Sequence, residues 1–174
     1  RPAFADLRLR RAAAMAIDAD AIVQYIREGR ASVLKGPLPE GMVGASPDHY
    51  PIEFDLERAR TLAQEVLGGE DIRVSMIYPG VSPETDTVAQ YLQAQFNEIG
   101  IRVRLERLSV PAYIDRIDRG SYDLVLMGFV ARDDDPLAIL GSWFAAEKKG
   151  LENPARYENE LVEDLLKTAQ NGVL

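Results

Sequence analysis

The segments Ile72-Arg73-Val74-Ser75-Met76-Ile77-Tyr78-Pro79-Gly80, Ile101-Arg102-Val103-Arg104-Leu105-Glu106 and Tyr122-Asp123-Leu124-Val125-Leu126-Met127-Gly128-Phe129 carry the architecture. In the first, Ile72, Val74, Met76 and Tyr78 alternate with Arg73, Ser75 and Ile77, the period of a strand, and Pro79-Gly80 ends it. In the second, Ile101, Val103 and Leu105 alternate with Arg102, Arg104 and Glu106, which predicts a strand with one wet face near a sheet edge. The third is almost continuously apolar, as a central strand covered on both faces should be. Between the first two, Val88, Leu92, Phe96 and Ile99 form one helical stripe closed by Gly100. Ser109 and Pro111 then open a helix with Tyr113, Ile114 and Ile117, ended by Gly120. Strand–helix–strand–helix–strand makes two βαβ units, so the strands are expected to be parallel, in the order 2-1-3. The predicted fold class is α/β, a mainly parallel sheet flanked by helices. Ligands of such sheets sit beyond the carboxyl ends of the strands, which here are Tyr78-Pro79-Gly80, Leu108-Ser109 and Phe129 to Asp135.

Outward from these strands the chain stays helical or punctuated. Asp6 to Glu28 reads as helix, broken near Asp18, which can cap a second segment, and Gly29 ends it. Lys35 to Pro51 holds four Pro and three Gly and predicts a long loop. Asp55 caps a helix with Leu56, Ala59, Leu62, Ala63, Val66 and Leu67, stopped by Gly68-Gly69. After the turn Arg132 to Pro136 comes a short segment with Leu137, Leu140, Trp143 and Phe144, where Trp143 and Phe144 read as core. A loop carries Asn153-Pro154, and a last helix shows a stripe of Leu161, Leu165 and Ala169. No internal repeat or low-complexity tract interrupts this series.

Composition narrows the function. The 174 residues include 20 Lys and Arg against 28 Asp and Glu, a net charge of −8, which argues against nucleic acid or an anionic membrane as partner. There is no Cys, so disulfides, thiolate metal sites and Cys nucleophiles are excluded, and a single His removes most His-based metal sites and makes a Ser-His-Asp triad depend on one residue. These facts weigh against an enzyme. No stretch has the apolar length of a membrane span, and the opening Arg1-Pro2-Ala3-Phe4 is neither a signal peptide nor a natural start.

Few residues can carry chemistry. His49 lacks converging partners and reads as a loop histidine. Asp133-Asp134-Asp135 could hold a hard cation, but consecutive side chains diverge and EF-hand spacing is absent, so a solvated turn with a helix cap is the simpler reading. Arg132 could pair with a ligand carboxylate or bridge to the neighbouring aspartates, and both readings stay open. Gly80, Gly128 and the Gly36-to-Gly44 loop form no phosphate-cradling motif. Arg8, Arg10 and Arg11 read as a solvated helix face.

Several segments together resemble a known family. Phe4-Ala5-Asp6-Leu7-Arg8-Leu9-Arg10-Arg11-Ala12, continuing to Ala16-Ile17-Asp18 and Ala21-Ile22-Val23, resembles the F-x-D-x-R-V-R-x-A…A-I-D-x-x-A-I-V signature of family 5 solute-binding proteins. These are the oligopeptide- and dipeptide-binding components of ABC importers. Gly36-Pro37-Leu38-Pro39 is similar to their G-P-x-P loop, and Phe54-Asp55-Leu56-Glu57-Arg58-Ala59 to their Y-D-P-E-K-A helix start. Tyr91 to Val103 resembles their Q-x-Q-L-x-x-I-G-I-x-V run, Gly120 to Leu124 their G-x-Y-D-x, and Asn153 to Leu166 their N-x-x-x-Y-x-N-x-x-x-D-x-L-L ending. The ordered set covers nearly the whole chain.

The resemblance implies one lobe of a type II periplasmic-binding-protein fold. Residues 1–174 are then a single α/β lobe, the second of two, truncated at both ends. It implies a non-enzymatic extracytoplasmic carrier, without metal or cofactor, lipid-anchored or free in the periplasm or outside the cell. The expected partners are a peptide or other small solute, the first lobe and a membrane permease, with no nucleic acid. Phe129, Val130, Ala131, Arg132 and Asp133 are the expected ligand contacts, with the Gly36-to-Gly44 loop a weaker candidate. In peptide-binding members the turn reads G-W-x-x-D-x-x-D-P, and its first acid pairs with the peptide's amino group. Here Phe129 replaces the Trp and Arg132 the acid, which shifts the expectation toward an anionic, blocked or non-peptide ligand unless Asp133 takes over. Two readings compete: a metal-assisted hydrolase using Asp133 to Asp135, and a sensory or scaffold domain that reuses the lobe.

Overall fold

Local caps set where the helices begin. The computed structural model describes residues 3–46, 52–130 and 135–172. After a 3-10 turn at Ala3–Ala5, Asp6 accepts a hydrogen bond from the Arg8 backbone N–H (2.8 Å) and starts helix α1, Leu7–Met15. Asp18 accepts from the Ala21 N–H (2.9 Å) and starts the short α2, Ala19–Ala21, which runs on as a π-helical turn over Ile22–Ile26. Asp55 does the same for α3, Leu56–Leu67, through the Arg58 N–H (2.9 Å). Ser82 caps α4, Pro83–Asn97, with Pro at its start. The breaks at Asp18 and Asp55 fall where the sequence predicts them, because a cap and its partner stand only two or three residues apart.

The strands are β1, Ile72–Pro79, β2, Ile101–Leu108, and β3, Leu124–Val125. They are parallel in the order β2-β1-β3, as expected. β1 and β2 pair from Ile72 opposite Ile101 to Pro79 opposite Leu108. Val74, Met76 and Tyr78 of β1, with Ile101 and Val103 of β2, join one core with Leu9 and Ala12 of α1, Ala59 and Ala63 of α3, and Leu92 and Phe96 of α4. Arg102 and Arg104 stay exposed, which is the predicted wet face.

The third segment departs from its prediction. It is not a central strand covered on both faces: only Leu124 and Val125 pair with β1, both are half-buried, and β1 holds the middle of the sheet. Side chains cut the ladder at both ends. The Asp123 carboxylate accepts from the Ser75 backbone N–H (2.7 Å) and hydroxyl (3.0 Å), taking the place of a backbone carbonyl. Beyond Leu126, whose N–H still reaches the Ile77 carbonyl (3.0 Å), the Leu126 carbonyl is taken by the Tyr113 hydroxyl (3.0 Å). Burial pushes that hydroxyl up to about 12.

The backbone divides into two compact units. The first comprises Arg1–Val33, Pro51–Tyr113 and Tyr122–Met127, and contains the sheet. The second comprises Leu34–Tyr50, Ile114–Ser121 and Gly128–Leu174. It is built on α6, Pro136–Phe144, and α7, Glu160–Gln170, which pack together. Helix α5, Val110–Arg119, carries the chain from one to the other.

Two expectations in the second unit are corrected. Leu161 and Leu165 of α7 are 68% and 58% exposed, whereas Leu166 is 8% exposed and buried. The Asn159 cap and a bond from the Ala146 N–H to Glu163 Oε1 (2.6 Å) set the helix rotation, so Val162, Glu163, Leu166 and Ala169 turn inward. Trp143 and Phe144 are half-buried, at the margin of a unit too small to enclose them. Phe144 meets Tyr157 edge-on at 5.6 Å. The one buried polar side chain recorded among the described residues is Asn153, which donates to the carbonyls of Ala145 (3.0 Å) and Tyr157 (2.9 Å) and accepts from the Tyr157 N–H (2.9 Å). No helix among the described residues is long and apolar enough to cross a membrane.

Candidate ligand-binding site

The expected contacts follow β3. Phe129 and Val130 are 45% and 83% exposed, so this apolar pair is presented to water rather than packed. Phe129 lies edge-on to Trp143, with ring centroids 5.4 Å apart and planes at 67°. Phe129 thereby gains a fixed aromatic neighbour from α6, which in the sequence was only a core candidate. Ala131, Arg132 and Asp133 lie outside the described residues, as do His49 and Asp134. Asp135 accepts from the Leu137 N–H (2.8 Å) and starts α6, the capping role expected for one of the three aspartates. Among the described residues no group of three or more His, Cys, Asp or Glu could hold a metal ion.

In the Gly36-to-Gly44 loop, Leu38 is buried and Val43 is 82% exposed. Turn hydrogen bonds from the Met42 N–H to the Pro39 carbonyl (3.2 Å) and from the Ala45 N–H to the Met42 carbonyl (3.0 Å) order its backbone.

A second constellation stands in the first unit, at the carboxyl ends of β1 and β2. Arg107 follows Ile101, Val103 and Leu105 in the apolar register of β2 and pairs in register with Tyr78 of β1. Its Nε donates to Asp86 Oδ1 (2.9 Å), in the first turn of α4, and one Nη2 donates to the Gly80 carbonyl (3.3 Å). The guanidinium lies so close over Gly80 that a β-carbon there would sit 2.6 Å from Cζ, so any other residue would displace it. Burial pushes the Tyr78 hydroxyl above the usual tyrosine range, with the Asp86 carboxylate adding to the shift and the Arg107 charge opposing it. Nearby, Arg27 pairs with Glu84 of the same helix turn. Sequence reasoning named Tyr78-Pro79-Gly80 as a strand end beyond which a ligand is expected, found no phosphate-cradling motif at Gly80, and passed over Asp86 and Arg107. The signal was present: a cation continuing the apolar face of β2 at its carboxyl end.

A parallel sheet in the order β2-β1-β3, with helices around it and exposed side chains after the strand ends, defines the class: a lobe of a periplasmic-binding-type fold. The chain belongs to the bacterial extracellular solute-binding proteins, family 5, whose middle region matches residues 1–150. It is 31% identical over 162 residues to a probable D,D-dipeptide-binding periplasmic protein of Escherichia coli, covering 92% of this chain and 31% of that protein. Among solved structures it resembles a dipeptide-binding protein of Pseudoalteromonas in complex with Met-Leu (26% identity, TM-score 0.89, 97% of this chain and 34% of the other). It also resembles a periplasmic binding protein of Helicobacter pylori in complex with the peptide STSA (26% identity, TM-score 0.87, 97% and 33%). The chain thus spans about a third of the length of these relatives.

Proposed function

We propose that this chain is one lobe of a two-lobed solute-binding component of an ABC importer. It supplies half of the cleft that captures a peptide or similar small solute, and the whole carrier delivers that solute to a membrane permease. The carrier works in the periplasm or outside the cell, lipid-anchored or free, and performs no chemistry on its cargo. Phe129, Val130, Ala131, Arg132 and Asp133 contact the solute. The observation that carries this reading is the exposed Phe129 that follows β3 and stands edge-on to the half-buried Trp143 of α6, in a chain of this family. An aromatic face left in water is stabilised when a ligand covers it. Closure follows because a solute touching both lobes favours the closed state by its differential affinity for it.

The test is calorimetric titration of the complete two-lobed polypeptide with a free-amine dipeptide, its N-acetylated twin and a small dicarboxylate. Trp143 is the only tryptophan of the 174 residues, so its emission in a parallel titration of this chain alone reports the lobe's own contact. Preference for the blocked or anionic probe, lost in Arg132→Asp, makes Arg132 the selectivity residue. Preference for the free amine, unaltered in that variant, removes Arg132 from the site and leaves ordinary peptide uptake. Absence of binding in every arm overturns solute capture of this kind.

A further inference from the structure

One corner of the sheet is left uncovered on the face opposite the main core. Register sets Arg73 of β1 beside Arg102 of β2 and Ser75 beside Arg104, with all four side chains on that face. Ile77, the next residue of β1 on the same side, is fully buried, so the cover of this face stops short of Ser75. Arg73 is exposed, as are 51% and 75% of the Arg102 and Arg104 side chains. The three arginines line one open recess with Ser75 and Asp123. It lies over the amino-terminal half of the strands, away from Tyr78 and Leu108 at their carboxyl ends.

Like charges set opposite one another on neighbouring strands destabilise a sheet, so this arrangement calls for an anion. The carboxylates of the corner supply it only in part. Arg102 Nε donates to Asp71 Oδ2 (2.7 Å), and Arg104 Nη2 stands 2.6 Å from Glu106 Oε1. Asp123 is turned to Ser75, whose N–H and hydroxyl both donate to its Oδ2. Among the described residues Arg73 has no carboxylate within ion-pair distance, and neither Nη of Arg102 is engaged. Arg8 shows the closed alternative, with Nε (3.2 Å) and Nη2 (2.8 Å) both on Asp6.

Adjacent strands stand about 4.8 Å apart, and residues two apart along a strand about 6.6 Å. The three arginines are therefore the corners of a triangle, and side chains of their length can bring their heads onto one compact anion. An extended acidic chain would need a row instead. Guanidinium forks match the oxygens of phosphate two at a time.

We propose that Arg73, Arg102 and Arg104 form an anion site separate from the cargo contacts, which takes a phosphate group, free or carried on a small ester. The bound group offsets the repulsion between Arg73 and Arg102. The proposal stands whether or not the solute-binding reading does.

The complete polypeptide is titrated calorimetrically at pH 7.5 with inorganic phosphate, with glycerol 3-phosphate and with an acetylated hexaglutamate, against sodium chloride at matched ionic strength. The expected result is saturable binding of one phosphate group per chain, at least about tenfold tighter than chloride, with the better of the two phosphates identifying its source. Arg73→Gln should weaken it by about fivefold or more, and Arg73→Lys should keep part of it, since charge remains without the fork. Arg58→Gln, an exposed arginine of α3 outside the recess, should leave it unchanged. In chloride alone Arg73→Gln should melt no lower than the wild type, because the substitution removes a repulsion. Phosphate bound no better than chloride, or equally well by Arg73→Gln and the wild type, overturns the proposal. Hexaglutamate bound more tightly than either phosphate overturns the compact anion in favour of an acidic protein segment.

Discussion

Asn153 shows how one residue can organise a segment that has no regular structure. It is fully buried, and its amide joins the carbonyls of Ala145 and Tyr157 to the Tyr157 N–H across the stretch between α6 and α7. Removing the side chain strands buried acceptors, which costs more than the bonds themselves contribute. Asn153→Ala should lower stability by roughly 2–4 kcal/mol, read as a drop in urea midpoint at unchanged m-value. Arg156 adds a second tie: it donates to the carbonyls of Asp118 (2.6 Å) and Ile117 (3.3 Å) at the end of α5 and lies over Gly120, whose φ of 64° already favours glycine. Arg156 was not legible in the sequence, because its partners stand 38 and 39 positions away, whereas Asn153 was visible in an Asn-Pro loop and at the head of the N-x-x-x-Y ending but not as a buried tie. Asp18, Asp55 and Asp135, whose partners are two or three residues away, were legible as caps or candidate caps.

Among the elements, β1, β2 and α4 followed from periodicity, since burying one face of each demands it. The end of the sheet did not. The Asp123 carboxylate and the Tyr113 hydroxyl replace ladder bonds and shorten β3, and no apolar pattern in Tyr122 to Phe129 registers a hydroxyl arriving from α5 or a carboxylate of the segment itself turning to Ser75 of β1. Helix α7 gives the sharper case. Its sequence supports the stripe Leu161, Leu165 and Ala169 as readily as Val162, Leu166 and Ala169, which are neighbouring faces of one helix. Packing chose the second. Leu166→Ala should therefore cost about 2–4 kcal/mol, whereas Leu165→Ala should stay within about 0.5 kcal/mol. Parallel urea titrations of the two variants distinguish them, and equal losses would restore the first stripe.

At the scale of the whole molecule, the proposed solute capture rests on family membership and on a sheet whose strand ends carry exposed side chains. A cleft built by two lobes gains affinity from burial on both sides. The 174-residue chain on its own should bind the preferred solute at least roughly 100-fold more weakly than the complete polypeptide, measured by titration at matched salt. Comparable affinities would place the whole site within this lobe. The order of parallel strands and the starts of several helices were present in the linear chain, because periodicity, capping and βαβ connection act over short spans or through general handedness rules. The placement of Arg107 over Gly80, the rotation of α7 and the truncation of β3 came only with the folded structure. Each depends on side chains from separate elements meeting in space, and no local pattern in the sequence encodes which of them will meet.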